Sequence, residues 1–575
     1  MRNNKVFVIA LDGAPPDKIG LWVRQGKLPL FKRLMAEGCT SELSSAVPWH
    51  TPTAWCSFMT GKNPGKHGVY NFVSRDPDHP LEMTFLGGAS CQAKSLWRYL
   101  SERGRNVGVV NVPMTYPAEE VQGFLIAGFP ALPDDTHFSC PKTLIHDLKT
   151  RGWDVTRGAA TEALGSLDRR FEQSWEQVQS RVEASLYLMR EYPWDFFMVH
   201  FLETDRIGHI FWRFMEDSEQ AGSQYSNYVL QFYQQMESAM LRLMDELDND
   251  TTLIVMSDHG MGPRRYVLSL NRWLLESGYL VLKDDVFTRL KHVLSSARLS
   301  HLNPLRLIPE RVFSLLVYTL LHLGLKTMKA PVRQSTIREQ GWRTPKGLLS
   351  LLQAPMLNFR NVDWTKTAAY SFGCSYVGTI YLNVVGRRAE GIIKAGVEYD
   401  RIRASICTEL QQLVDPTSGE RLVSRVAKAE DLYAGPYLPD APDLIAFFTN
   451  PEYETYPAST ALRCEKLVTA TPNAIAGHRR NGLFIINGRG IEAGTTLTGA
   501  SITDVAPTVL HILGELIPSD MDGNVLRGCL RKGGEFSSEV KYVDADGEER
   551  KESVEYSDEE EEVVFNRLRE LGYLD

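Results

Sequence analysis

Thr51 sits in the run Pro48-Trp49-His50-Thr51-Pro52-Thr53-Ala54-Trp55, which continues through Thr60-Gly61 to Pro64-Gly65-Lys66-His67-Gly68. A threonine hydroxyl is a poor nucleophile at its free pKa, so one that does chemistry needs a metal or a base beside it. Candidate metal ligands lie elsewhere in the chain. Asp12 follows the apolar run Lys5 to Leu11, Asp205 and His209 follow Phe196 to Phe201, and Asp258 and His259 follow Leu253 to Met256. His478 comes shortly before the strand-like Gly482-Leu483-Phe484-Ile485-Ile486. Three aspartates, three histidines and one hydroxyl are enough to hold two zinc-like ions with positions left open for substrate. Manganese accepts the same ligand types.

The elements that must position these side chains are legible around them. Asp12, Asp205 and Asp258 each come just past a strand-like run, and in open α/β sheets the carboxyl ends of parallel strands are where loops converge on a ligand. Asp205 and His209 are four residues apart, so a helix starting there puts both on one face, one turn apart. The bland alternative is a helix N-cap aspartate followed by a surface histidine. Asp258 and His259 are adjacent, and a regular strand would send them to opposite faces. In a loop loosened by Gly260 and Gly262, both can reach one site. From Lys5 to about Gly262, apolar strands alternate with helical stretches, including Asp168 to Met189 and Ser223 to Leu247. That alternation predicts an α/β fold with a mostly parallel central sheet and helices on both faces.

At this point the sequence resembles the alkaline phosphatase superfamily, in its type I phosphodiesterase and nucleotide pyrophosphatase branch. The resemblance is carried by Asp12, the Thr51 stretch with its Thr-Gly and Pro-Gly-Lys-His-Gly sequel, Asp205-x-x-x-His209, Ser257-Asp258-His259-Gly260 and Gly477-His478, in the family's order. It implies that Asp205, His209 and His478 hold one metal, and that Asp12, Asp258, His259 and the Thr51 oxygen hold the other. It also implies hydrolysis of a small-molecule phosphate ester, a phosphodiester first, through a phosphothreonine on Thr51. The asparagine that contacts phosphate in nucleotide pyrophosphatases falls here on Phe72, with Asn71 one before it; Asn71 is the substrate-binding candidate, and an amide stabilising a turn is the plain alternative. Phosphomonoesterase, phosphoglycerate-mutase-like and phosphoethanolamine-transferase activities are the alternatives within the superfamily. A catalytically silent metal-binding scaffold is the alternative outside it. His50, His67 and His200 read as packing or structural residues, and Lys62 and Arg479 as surface residues.

Composition bounds the rest. Hydrophobic content of 43% and charged content of 23% are those of an ordinary globular protein. A net charge of −8 argues against stable nucleic-acid binding. The eight cysteines include no C-x-x-C pair and suit buried thiols in a reducing compartment. With no leader pattern before the first strand and no apolar run of membrane-spanning length, the default expectation is a cytoplasmic protein. More than 200 residues separate His259 from His478, far more than one crossover needs. The expected division is a catalytic core over residues 1–263, an inserted cap over 264–440, the rest of the core over 441–532, and an acidic linker with a C-terminal helix over 533–575. Val286 to Lys329 reads as basic amphipathic helices that either bury their apolar faces on the core or touch a membrane surface peripherally.

Overall fold

Four runs of apolar residues, Lys5–Leu11, Val107–Val112, Phe196–Phe201 and Thr251–Met256, form the middle of one sheet in the computed structural model. Except for Lys5 at the first strand's edge, every residue in them is buried, as parallel strands covered on both faces require. The structure describes residues 4–75, 83–131, 137–156, 166–216, 223–286, 288–289, 292, 357–372, 376–455, 462, 466–545 and 564–565.

Among the described residues this sheet has ten strands. Lys5–Leu11 pairs in parallel with Phe196–Phe201 on one side and Thr251–Met256 on the other. Val107–Val112 and Gly123–Ala127 extend the parallel half, and Asn481–Asn487 and Cys39–Ser44 complete the other side in antiparallel pairing. The register puts Leu11 opposite Phe201 and Ala10 opposite Met256. Three strands therefore end nearly level, and the residues after them leave the sheet at one edge.

The helices pack in groups. Leu167–Glu191, Glu203–Glu216 and Tyr228–Met244 pack on one another, while Thr51–Thr60 packs with Leu96–Glu102 and Val505–Ile512. Helix starts follow local chemistry: the Ser166 hydroxyl accepts from Arg169 N–H and the Ser223 hydroxyl from Tyr225 N–H, each satisfying an amide the helix leaves unpaired. Ser223 caps a 3₁₀ turn, so the α-helix expected from there begins at Tyr228 and ends at Met244.

Among the described residues four smaller sheets lie outside the main one, two of them two-stranded ribbons. Gly260–Leu268 pairs antiparallel with Val468–Arg479 and in parallel with Tyr453–Thr455. The strands Ala369–Ser371, Gly378–Leu382, Leu444–Phe448 and Val423–Lys428 form another. The strand Leu444–Phe448 thus joins the separate four-stranded sheet, correcting the expectation that the chain re-enters the central sheet near residue 441; it returns only at Asn481–Asn487. A buried apolar run signals a strand but not which sheet it joins. The four-stranded unit leans on the approach to the Thr51 helix, where the Tyr433 hydroxyl donates to Val47 O at 2.9 Å and Asn63 Nδ2 donates to Ala434 O at 3.0 Å. The amphipathic stretch read between residues 293 and 329, and residues 546–563 and 566–575 of the acidic tail, lie outside the described residues. Among those described, no helix is long and apolar enough to cross a membrane.

Candidate metal centre

Asp12 leaves the strand Lys5–Leu11 with its N–H donated to Phe201 O at 3.1 Å, which ties the ends of neighbouring strands together. Its carboxylate is held from behind: Oδ2 accepts from the Trp55 indole N–H at 3.0 Å and lies 2.8 Å from His200 Nε2. Oδ1 makes no hydrogen bond and faces His259 Nε2 at 3.6 Å. Gly13 follows with φ +61°, and a Cβ there would stand 2.6 Å from Asp205 Oδ1. Only glycine lets the backbone pass this close in that conformation, while its N–H donates to Asp258 Oδ1 at 3.2 Å.

Asp205 and His209 lie in the helix Glu203–Glu216, one turn apart, with His209 Nε2 3.4 Å from Asp205 Oδ2. His478 arrives from the strand Val468–Arg479, in register with Met261. Its Nε2 lies 3.4 Å from Asp205 Oδ1 and 3.0 Å from His209 Nε2. Two imidazole nitrogens and a carboxylate therefore converge on one point.

Asp258 and His259 occupy the turn between Thr251–Met256 and Gly260–Leu268. His259 Nδ1 is 3.0 Å from Gly260 O, and because a carbonyl only accepts, Nδ1 carries the proton. That leaves the Nε2 lone pair aimed at Asp258 Oδ2 and Thr51 Oγ1, each 3.4 Å away, an orientation typical of a metal-ligating imidazole whose other nitrogen is hydrogen-bonded. Thr51 itself is the first residue of the buried helix Thr51–Thr60, where N–H groups without intrahelical partners and the helix dipole favour an anion. Glycine at Gly61, φ +66°, ends that helix.

Asp12, Asp205 and Asp258 are fully buried, and Asp12 Oδ1, both Asp205 oxygens and Asp258 Oδ2 make no hydrogen bond. Burial pushes the Asp258 carboxyl well above the ordinary range, and the Asp12 charge pushes it the same way. Burial also acts to raise Asp205, but His209 and His478 overcome it and hold that carboxyl well below the ordinary range. His478 is kept neutral, first by burial and then by neighbouring His259. Buried carboxylates in this state each cost several kcal/mol without a counter-charge. Divalent cations among oxygen and imidazole donors supply it, and the donor set fits zinc or manganese. Asp205, His209 and His478 form one ligand cluster, and Asp12, Asp205 and His259 form another that shares Asp205.

The structure thus brings together Asp12, Thr51, Asp205, His209, Asp258, His259 and His478. Asn71 Oδ1 accepts from Phe72 N–H at 2.7 Å, and Asn71 lines a cavity of about 450 Å³ with Tyr70, Tyr370, Tyr381 and Arg388. Three residues beside the cluster were not singled out for it. His200 and Trp55 brace Asp12, and the Tyr376 ring stacks on His478 with centroids 4.6 Å apart. His200 is buried as expected, yet its partner is a candidate ligand. Lys62, expected at the surface, is buried against Asp520 at 2.5 Å.

Residues 6–309, more than half of the chain, match the sequence family described as type I phosphodiesterase / nucleotide pyrophosphatase. The chain belongs to this family. Type I phosphodiesterases and nucleotide pyrophosphatases are hydrolases of the alkaline phosphatase superfamily acting on small phosphate esters, and buried Asp/His clusters such as these are consistent with the family's two-metal site. Two similar curated proteins are both named GPI ethanolamine phosphate transferase 2. The one from Eremothecium gossypii is 29% identical over 92 residues and the one from Kluyveromyces lactis 27% over 93. Each match covers 16% of this chain and only 10% of the relative. Among solved structures, human ectonucleotide pyrophosphatase/phosphodiesterase 5 aligns at 13% identity and TM-score 0.45, covering 92% of this chain and all of that one. Phosphonoacetate hydrolase from Sinorhizobium meliloti aligns at 13% identity and TM-score 0.48, covering 89% of this chain and 95% of that one. The stretch matched to the type I phosphodiesterase family contains every cluster residue except His478.

Proposed function

We propose that this chain hydrolyses a phosphodiester through a covalent phosphothreonine on Thr51, with two divalent cations, zinc first, at the Asp/His cluster. The observation that carries the reading is the convergence of side chains from two strand ends, one helix and a distant strand beside a buried hydroxyl, with Thr51 Oγ1 3.4 Å from His259 Nε2. Asp205, His209 and His478 would hold one cation, and Asp12, Asp258, His259 and Thr51 the other. When bound, the cations activate the hydroxyl and neutralise charge on the phosphate oxygens.

The residues of the chain supply the remaining terms. Thr51 Oγ forms a bond to phosphorus as the bond to the departing alcohol breaks, and that alcohol leaves with a proton. Water then attacks phosphorus, the Thr51 oxygen leaves and recovers its proton, and the products are a phosphomonoester and an alcohol. The amino end of the Thr51 helix stabilises the anion through both steps, while Trp55 and His200 keep the Asp12 carboxylate aimed inward. Thr51→Ala should cut turnover of bis-p-nitrophenyl phosphate by about 10⁴-fold or more, the scale on which a covalent nucleophile is lost, with metal content intact. Retained turnover would place the nucleophile elsewhere.

A second reading is favoured by the stretch shared with the two ethanolamine phosphate transferases: the phosphoryl group passes to an alcohol acceptor in place of water. Product analysis with an added amino alcohol separates the two.

A further inference from the structure

A second group of metal-ligand side chains lies apart from the Asp/His cluster. Cys56, His67 and Cys91 are all fully buried, and one donor atom from each lies within 4.8 Å of the other two. They come from three pieces of chain: the Thr51–Thr60 helix, the short helix Pro64–His67, and the residue that closes the 3₁₀ turn Gly88–Ser90. Neither cysteine is in a disulfide.

Both nitrogens of the His67 ring already have partners. Val69 N–H donates to Nδ1 at 3.2 Å, so the ring proton sits on Nε2, 3.0 Å from Ser57 Oγ. Nδ1 is then the basic nitrogen, and an ion that takes its lone pair replaces the Val69 N–H contact, while the Nε2–H contact to Ser57 keeps the ring in place. Burial, with Lys62 nearby, lowers the His67 pKa to about 3, so the ring is neutral at any ordinary pH. No carboxylate belongs to this group. Its soft donors differ in kind from the hard oxygens around Thr51.

We propose that Cys56, His67 and Cys91 bind a thiophilic cation, zinc, at a structural site separate from the one around Thr51. Charge balance favours a divalent ion: two thiolates and a neutral imidazole around it sum to zero, which a buried site tolerates, whereas a monovalent ion leaves an uncompensated negative charge in the core. Binding displaces two thiol protons to solvent and involves no redox step. The bound ion pins the helix that begins with Thr51 to the two turns that follow it.

The test is X-ray absorption at the zinc edge on the full-length protein loaded with zinc. Because the Asp/His cluster contains no sulfur, scatterers at about 2.3 Å report only on the cysteine site. The expected result is a sulfur shell, together with loss of that shell and of one zinc per chain in Cys56→Ser/Cys91→Ser. The nitrogen and oxygen shell should remain in that variant. The wild-type spectrum is read first and does not depend on the variant's folding. A wild-type spectrum with only nitrogen and oxygen neighbours, or a Cys56–Cys91 disulfide found by mass spectrometry in the intact protein, would overturn the proposal.

Discussion

The two halves of the Asp/His cluster use similar donors and balance charge in opposite ways. On the Asp205 side, the carboxylate lies between two imidazoles at 3.4 Å and is held ionised by them. His209 is correspondingly raised, since the pull of Asp205 outweighs the burial that lowers it. On the Asp258 side, burial and the neighbouring Asp12 charge drive the carboxyl toward its protonated form. One half is an internally compensated ion pair, and the other keeps a proton on Asp258 in place of a counter-ion. A cation entering either half displaces a proton, from His209 in the first and from Asp258 in the second.

The same isosteric change should therefore act in opposite directions on the metal-free protein. Asp205→Asn removes the partner of a partly buried His209, and breaking such a pair costs up to about 3 kcal/mol. Its melting temperature in EDTA should fall well below wild type. Asp258→Asn removes a group whose ionisation burial and Asp12 oppose, and a gain of about 1 kcal/mol is expected where that group ionises, seen as a higher melting temperature in EDTA at alkaline pH. Both variants should bind less zinc than wild type by elemental analysis. Equal shifts of the same sign would break the comparison.

The pH dependence sharpens it. The folded pKa of Asp258 lies above its unfolded value, so its contribution to stability is complete below the ordinary carboxylate range and is lost as pH rises through the elevated value. His209, also raised, acts in the same direction above the ordinary histidine range. Asp205 is depressed, so its contribution is present above the ordinary carboxylate range and is lost as pH falls through its low folded value. Stability of the metal-free protein should thus decline toward alkaline pH with a slope of at most about 1.4 kcal/mol per unit from each group. Asp258→Asn should flatten that decline, as denaturant melts across pH would show.

The smallest effect concerns the brace behind Asp12. His200→Ala deletes the 2.8 Å contact to Oδ2 and should lower zinc affinity or turnover by about 10-fold to 100-fold, the usual cost of losing a partner that orients a ligand. Zinc titration and bis-p-nitrophenyl phosphate kinetics on the same preparation measure both. An unchanged affinity and rate would make His200 a packing residue only.

Much of this centre is legible from local signals. Asp12, Asp205 and Asp258 follow apolar runs that do form parallel strands, and Asp205 with His209 carries the spacing of one helical turn, so residue type and periodicity suffice. What local patterns lack is long-range pairing. His200 braces Asp12 because two parallel strands set Ala10 opposite His200, a register no short window contains. Lys62 is buried because Asp520, far along the chain, meets it. Tyr376 reaches His478 from just before the strand Gly378–Leu382 of the four-stranded sheet, which meets the core through contacts such as Tyr433 to Val47. The apolar run at Leu444–Phe448 was recognisable as a strand, but its partners lie in Gly378–Leu382 and Val423–Lys428, and hydrophobicity alone does not choose between sheets.

Anomalous diffraction at the zinc edge, from crystals grown with zinc and a non-hydrolysable phosphate ester analogue, tests the central claim most directly. Two peaks beside Thr51 are predicted, one among Asp205, His209 and His478 and the other among Asp12, Asp258 and His259, with the analogue's phosphorus facing Thr51 Oγ. A single peak there, or an analogue bound away from Thr51, would contradict a two-metal phosphoryl-transfer centre.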